Sequence, residues 1–244
     1  MITPEDDQFI PGIYNYCDRW CERCEFTARC RTFAMESEFP DDDEKEFDSE
    51  AFVRNLTNIF ADAKAMILEK AEEFGIDATP ISDEEFAEIR GRQEQFISRQ
   101  ELTNLSEQYA KEAGPVLESK DEWLASSALE KDMQEEVIAV LYWYLFFIAA
   151  KIYRGVQGML DVDGFEDSGE IRDPQSDANG SVKIGLIAIE RSILAWTYLL
   201  DQENADRIRP LIELLDRTKN HAEIKFPLAR DFVRPGFDEI EAVM

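Results

Sequence analysis

The sequence predicts an all-α protein: a helical bundle of five to seven helices with a small cysteine-rich metal-binding segment at the N-terminus. Apolar residues recur at three- and four-residue spacing through most of the chain, which is the period of an amphipathic helix. The sequence shows no convincing alternation of apolar and polar residues of the kind that a half-buried strand requires. Glycine and proline residues stand where the periodic stretches end, which favours helices joined by short connections.

The helical stretches follow one another from residue 52 to about residue 220. The first ends at Gly75, which is a plausible C-cap. The second begins after Ser82 with acidic residues in its first turn, and we expect Gly114 and Pro115 to end it. The predicted helices span residues 52–74, 83–113, 116–129, 132–160, 180–201 and 203–220. The uninterrupted apolar run 137–150 lacks a polar face, so we expect it to form the central helix.

Composition divides the chain into three predicted parts. Residues 1–36 form a cysteine- and aromatic-rich segment, and residues 37–50 form an acidic connection that carries a proline. Residues 51–244 form the helical bundle domain.

The charge balance excludes several classes of partner. The chain has 53 acidic and 26 basic residues and a formal net charge of −27. Such a chain repels phosphate backbones and anionic membrane surfaces, so nucleic acid is an unlikely ligand and no membrane is expected. A protein partner with a basic surface, or mimicry of nucleic acid, stays open.

The beginning of the sequence has neither the basic region nor the apolar stretch of a secretory signal. The apolar run 137–150 is too short for a usual membrane span. We therefore expect a cytoplasmic protein, in which thiols stay reduced and clustered cysteines bind a metal rather than form disulfides.

All four cysteines of the chain, Cys17, Cys21, Cys24 and Cys30, lie within 14 residues. If this segment is helical, the first three share one helix face, with neighbours about 5–6 Å apart at Cβ. That spread favours a 4Fe–4S cluster over zinc, because tetrahedral zinc needs its sulfurs only about 3.8 Å apart. No glycine or proline between Cys17 and Cys30 helps to make a zinc-binding turn. Zinc stays the alternative.

The spacing Cys21-x2-Cys24-x5-Cys30 resembles the end of the iron–sulfur loop of endonuclease III-type DNA glycosylases. It is similar as well to the loop that closes the cluster of the AddB-like nucleases and the related CRISPR-associated nucleases. The resemblance covers only the loop at residues 17–30, and it implies a 4Fe–4S cluster without implying an activity. The spacing of Cys17, Cys21 and Cys24 is similar to that of radical S-adenosylmethionine enzymes, but Cys30 would close the open iron that those enzymes need.

The residues around the cysteines suit a metal–thiolate centre. Four thiolates and their metal carry net negative charge, which Arg19, Arg23, Arg29 and Arg31 can offset while they donate hydrogen bonds to sulfur. Trp20 and its aromatic neighbours can exclude water. Farther along the chain, charges within apolar helices need partners, and we expect Lys151 to pair with Glu190.

Three functions remain open from the sequence. A closed set of four cysteine ligands favours a structural metal centre in an interaction or scaffold protein. The alternatives are a redox subunit that passes electrons through the cluster, and a zinc-stabilised acidic mimic of nucleic acid. No reaction, substrate or oligomeric state is indicated by the sequence.

Overall fold

The computed structural model describes residues 8–38, 49–75, 79–124, 130–160 and 173–238. The predicted all-helical class is confirmed, and the described part of the chain contains no β-strand. The helices are α1 (Arg31–Glu38), α2 (Ser49–Phe74), α3 (Asp83–Ser98), α4 (Glu101–Glu118), α5 (Lys120–Leu124), α6 (Lys131–Tyr144), α7 (Phe147–Gln157), α8 (Asp177–Leu199) and α9 (Ala205–Lys225).

The predicted helix ends at Gly75 and Ser82 are confirmed. Gly75 follows α2 with a φ of 66°, a left-handed conformation that glycine adopts without a steric penalty. The Ser82 hydroxyl accepts a hydrogen bond of 3.2 Å from the backbone N–H of Glu85, which caps α3. Ser176 caps α8 in the same way, because its hydroxyl accepts from the backbone N–H of Asn179.

The predicted helix 83–113 was wrong in its extent. The helix is interrupted at residues 99–100. A second helix, α4, begins at Glu101 and runs through Pro115 to Glu118. A proline inside a helix costs about 3 kcal/mol. Here Pro115 lies in the last turn between Ala113 and Leu117, both of which are fully buried, so core packing offsets that cost. The predicted helix 116–129 is the short α5, and residues 125–129 lie outside the described residues.

The predicted helix 132–160 is divided into α6 and α7 at residues 145–146, although no glycine or proline marks the break. The backbone N–H of Leu145 bonds the carbonyl of Tyr142, a tighter turn than that of an α-helix. The side chain of Phe146 is 71% exposed at this point. The apolar run 137–150 therefore has a solvent-exposed side, and the prediction that it is the central helix was wrong.

The central helix is α8, which packs against α6, α7 and α9. Its buried residues include small ones that allow close approach as well as Trp196, whose indole N–H donates to the Tyr109 hydroxyl at 3.0 Å within the core. The sequence did not indicate that α8 is central, because it carries charged residues such as Arg191 between its apolar ones.

One stretch of the described residues, Lys131–Gln157, is long and apolar enough by composition to cross a membrane, and its most apolar window has a mean hydropathy of 1.6. This is weak evidence for a span, because the core helix of a soluble protein meets the same criterion. The break between α6 and α7 divides this stretch, and 39% of its most apolar window is buried in the fold.

The chain divides into two compact units. The first comprises Met1–Glu36 together with Ile89–Met244, and the second comprises Ser37–Glu88. We predicted a single bundle domain over residues 51–244. In the structure the cysteine segment belongs to the same compact unit as the later helices, and α2 with the beginning of α3 belongs to the other unit.

Candidate metal centre

The cysteine segment does not form the continuous helix on which one part of our prediction depended. It consists of three short 3-10 turns, Ile13–Asn15, Cys21–Arg23 and Thr27–Arg29, which are followed by α1. Arg19 adopts a φ of 59°, which turns the chain between the first two cysteines. The first three cysteines therefore do not share one helix face, and their spacing along such a face does not distinguish a cluster from zinc.

The four cysteines nevertheless line one cavity, which we call the cysteine cavity. Its volume is about 20 Å³, so the surrounding side chains leave little space between the thiols. All four thiols are free and partly buried. Three charged residues, Asp18, Arg19 and Glu36, share the wall with them. The rest of the wall is apolar, aromatic and hydroxyl side chains, among them Ile13, Tyr14, Trp20, Phe26, Thr27 and Phe237. Among the described residues, no group of three or more His, Cys, Asp or Glu side chains is already arranged around a single metal ion.

Tight turns place the cysteines around this cavity. The backbone N–H of Cys24 bonds the carbonyl of Cys21 at 3.1 Å, and the N–H of Cys30 bonds the carbonyl of Thr27 at 3.2 Å. The N–H of Phe26 donates to Cys24 Sγ at 3.4 Å. A Cys-x2-Cys turn thus forms without the glycine or proline that we had expected it to need, and its sulfur accepts a backbone hydrogen bond as metal-bound thiolates do.

The electrostatics of the cavity disfavour bare thiolates. Burial raises the pKa of Cys17. Burial raises the pKa of Cys21 as well, and the other three cysteines and Glu36 raise it further because negative charges would gather in one place. A bound cation removes this repulsion and lets all four thiols ionise.

The predicted arginines are distributed around the segment, and all four lie in the described part of the chain. Arg19 lines the cysteine cavity and lies 3.8 Å from Glu36. Arg23 stacks over the Trp20 ring at 3.9 Å and forms an ion pair of 2.8 Å with Glu136. The side chains of Arg29 and Arg31 are exposed and are not part of the cavity wall.

Trp20 joins the segment to α6. Its ring stacks on Trp143 with centroids 4.9 Å apart and planes within 13° of each other, and it meets Tyr144 edge-on. With Arg23 on its surface, Trp20 forms one wall of the cysteine cavity and shields it from water.

The hydrogen bonds that hold the segment on α6 and α8 were not predicted from the sequence. The Asp18 carboxylate accepts hydrogen bonds from the Tyr144 hydroxyl and from Arg191 Nη1, each at 2.7 Å, and the Asp18 carbonyl accepts from Trp143 Nε1 at 2.8 Å. We call this group the Asp18 anchor. Burial raises the pKa of Tyr144 to about 12, and the bond to Asp18 adds to the effect. The only signal in the sequence was Arg191, a charge within an apolar helix.

The predicted pair of Lys151 with Glu190 was wrong. Lys151 Nζ donates instead to the carbonyl of Asn15 at 3.2 Å, while Glu190 binds Arg230 at 2.6 Å. Burial lowers the pKa of Lys151, and neighbouring Arg154 lowers it further. The nearby Cys17 raises the pKa of Lys151. A negatively charged centre in the cavity would therefore stabilise the lysine cation.

The chain after α9 packs on the cysteine segment from the other side. Phe237 meets Phe26 edge-on at 4.9 Å, and Phe232 packs against Tyr16 at 4.5 Å. A Cβ atom on Gly180 of α8 would lie 2.5 Å from the Tyr16 ring and 2.7 Å from Phe232, so only glycine fits there.

An ion pair fixes this last part of the chain. The Asp238 carboxylate lies 2.7 Å from both Lys183 and Arg234. Burial alone would raise the pKa of Asp238, but its hydrogen bonds with Arg234 and Lys183 outweigh burial and hold the pKa well below its usual range. Phe237 is therefore held at the wall of the cysteine cavity.

A larger open groove adjoins the site, with a volume of about 630 Å³. We call it the Cys24 groove, because Cys24 and Trp20 line both it and the cysteine cavity. Tyr144, Arg191 and the exposed residue Leu194 line its farther part. Comparisons of the chain with protein-family models, with curated proteins and with solved structures found no match.

Proposed function

We propose that Cys17, Cys21, Cys24 and Cys30 hold a 4Fe–4S cluster, and that this closed centre acts structurally by fixing the N-terminal segment on the helical body. The observation that carries the proposal is that all four thiols, drawn from irregular chain, line one cavity. Four protein ligands fill the coordination sites of the cluster and leave none for a substrate.

The donor set fits such a group. Thiolates are the ligands of iron–sulfur clusters, and the spacing Cys21-x2-Cys24-x5-Cys30 resembles that of iron–sulfur loops. The Phe26 N–H already points to the Cys24 sulfur. When bound, the cluster would supply the positive charge that lets the four thiols ionise side by side.

The surrounding residues support a structural role. The three turns of the segment bury few side chains of their own, so they depend on contacts with α6, α8 and the chain after α9. The Asp18 anchor fastens the segment between the first two cysteines. Trp20 and Phe237 exclude water from the cavity that the cysteines line. A metal centre would join the remaining turns to these fixed points.

Anaerobic purification followed by absorption spectroscopy tests the proposal. We expect a brown protein whose visible absorption is lost in the Cys24→Ser variant. The matched control is Thr27→Ser, which changes a wall residue that is not a metal ligand and should keep the colour. A colourless wild-type protein that contains zinc would refute the cluster.

Zinc is the second candidate for the metal, and the turn at Cys21–Cys24 favours it, because structural zinc sites commonly use tight Cys-x2-Cys turns. A zinc ion would have to draw the sulfurs within about 3.8 Å of one another. The structural role that we propose would be the same with zinc.

Electron transfer is the alternative role of a cluster, and the Cys24 groove favours it. Cys24 lines the cysteine cavity and the open groove at once, so a partner in the groove would lie next to a cluster ligand. If the centre is structural, a reversible one-electron signal should be absent under conditions in which the cluster stays intact. A reversible signal that survives repeated cycles would favour the redox role.

A further inference from the structure

The second unit has an exposed apolar stripe that the metal centre does not explain. Four apolar side chains of α2 repeat at intervals of seven residues, and each is more than half exposed: Val53, Phe60, Ile67 and Phe74. We call these four residues the heptad stripe. Residues seven apart lie almost in line along an α-helix, so the stripe is roughly 31 Å long.

A stripe of this kind is the pattern of a helix that packs on another helix. Large apolar side chains at seven-residue spacing insert between the side chains of a facing helix. Contiguous exposed apolar surface marks interaction sites on soluble proteins. Leu68, on a neighbouring line of the same helix, is 44% exposed and widens the surface.

The charge of this unit indicates which kind of helix fits. Residues 37–88 include 17 acidic and four basic residues, a net charge of −13 in about a fifth of the chain. Three of the acids, Asp83, Glu84 and Glu85, lie in the first turn of α3. Two copies of such a surface would repel each other, whereas basic residues beside the apolar contacts of a partner would be attracted.

We propose that the heptad stripe binds a basic amphipathic helix of a partner protein. Apolar side chains of the partner helix pack against Phe60 and Ile67 at the middle of the stripe. Lysine or arginine residues that flank them pair with the acidic residues of the unit. This proposal is independent of the metal centre. It gives a specific form to the protein partner that we expected from the sequence.

The test uses the full chain with its metal and a fluorescently labelled helical peptide of three heptads. The probe has leucine at the two apolar heptad positions and lysine at the flanking positions, and two comparison peptides carry glutamine or glutamate in place of lysine. We expect the lysine peptide to bind at least about tenfold more tightly than the glutamine peptide, with an affinity that falls as salt rises. The glutamate peptide should not bind.

The double variant Phe60→Ser/Ile67→Ser should weaken binding of the lysine peptide about tenfold or more. The matched control is Met133→Ser/Ile224→Ser, which removes two exposed apolar side chains from α6 and α9 and should leave binding unchanged. Circular dichroism checks that both variants stay folded, as expected for exposed positions.

Several results would overturn the proposal. If both double variants weaken binding equally, the peptide binds the acidic chain without using the stripe. If the glutamine peptide binds as well as the lysine peptide, the partner is not basic. If sedimentation shows a dimer that Phe60→Ser/Ile67→Ser dissociates, the stripe binds a second copy of the chain.

Discussion

The cysteine segment and α2 contrast in how they are stabilised. The segment has little regular structure, yet its side chains are tied to distant parts of the chain through Asp18, Trp20 and Tyr16. The helix α2 is regular over 26 residues, yet it exposes large apolar side chains along its length. Local periodicity was thus enough to form α2, whereas the segment depends on tertiary contacts and, in our account, on a metal.

The largest expected effect is the loss of the metal from the cysteine segment. The Cys24→Ser variant should lose the metal and release residues 8–36, because structural metals in small zinc domains contribute about 10 kcal/mol or more to folding. Limited proteolysis should cut within the segment first and leave the helices of residues 89–238 intact for longer. Equal protection of the segment in the variant and the wild type would contradict the structural role.

A steric change at Gly180 should give the next largest effect. In Gly180→Ala the new methyl group overlaps Tyr16 and Phe232, and overpacking of this kind costs about 1–3 kcal/mol. The matched control is Gly91→Ala in α3, where a Cβ meets nothing within 4 Å and alanine should stabilise the helix by about 0.5–1 kcal/mol. Urea unfolding measures both values, and destabilisation by both variants alike would contradict the packing account.

Removal of one hydroxyl from the Asp18 anchor should have a smaller effect. Tyr144→Phe loses the hydrogen bond to Asp18, and we expect a cost of about 1 kcal/mol because Arg191 still binds the carboxylate. Tyr153→Phe on α7 is the control and should change the free energy of unfolding little. If Tyr144→Phe leaves both stability and protease resistance of the segment unchanged, the anchor does not fasten it.

The ion pairs of Asp238 predict a dependence on pH. Because the folded pKa lies below the unfolded value of about 3.9, ionised Asp238 stabilises the fold at pH values above about 4. This contribution is lost as the pH falls through the folded pKa. Asp238→Asn should therefore be less stable than the wild type at pH 7 and pH 5, with the difference shrinking in more acidic solution. A difference that stays constant down to pH 3 and below would contradict the account.

The smallest effect on the free energy of unfolding is expected in α2, where the apolar side chains are exposed. Phe60→Ser should change the free energy of unfolding by no more than about 0.5 kcal/mol, because the side chain is already in water. Ile97→Ser in α3, where the side chain is 2% exposed, should cost several times more. Strong destabilisation by Phe60→Ser would show that the stripe is covered in solution.

Much of the fold could be predicted from the sequence because it is encoded locally. The 3.6-residue period and the caps at Gly75 and Ser82 depend on nearby residues alone. The breaks at residues 99–100 and 145–146 could not be predicted, since no glycine or proline marks them. The passage of α4 through Pro115 depends on the burial of Leu117, which local patterns do not reveal.

The candidate site, like the fold, could be predicted only where nearby residues determine it. The four cysteines are close together in the sequence, so their spacing alone marks them as a candidate site. Tyr144 and Arg191, the partners of Asp18, lie more than a hundred residues away and meet it only in the folded chain. Phe237 reaches the cavity because Lys183 and Arg234 hold Asp238, a connection that no sequence pattern indicates.

The iron, sulfide and zinc content of the anaerobically purified protein tests the central claim most directly. Our account predicts about four iron and about four sulfide per chain, with no zinc. The same content should be found in the Thr27→Ser control and should be lost in Cys24→Ser. One zinc per chain without sulfide would contradict the cluster, and a chain that binds no metal in any preparation would contradict the metal centre itself.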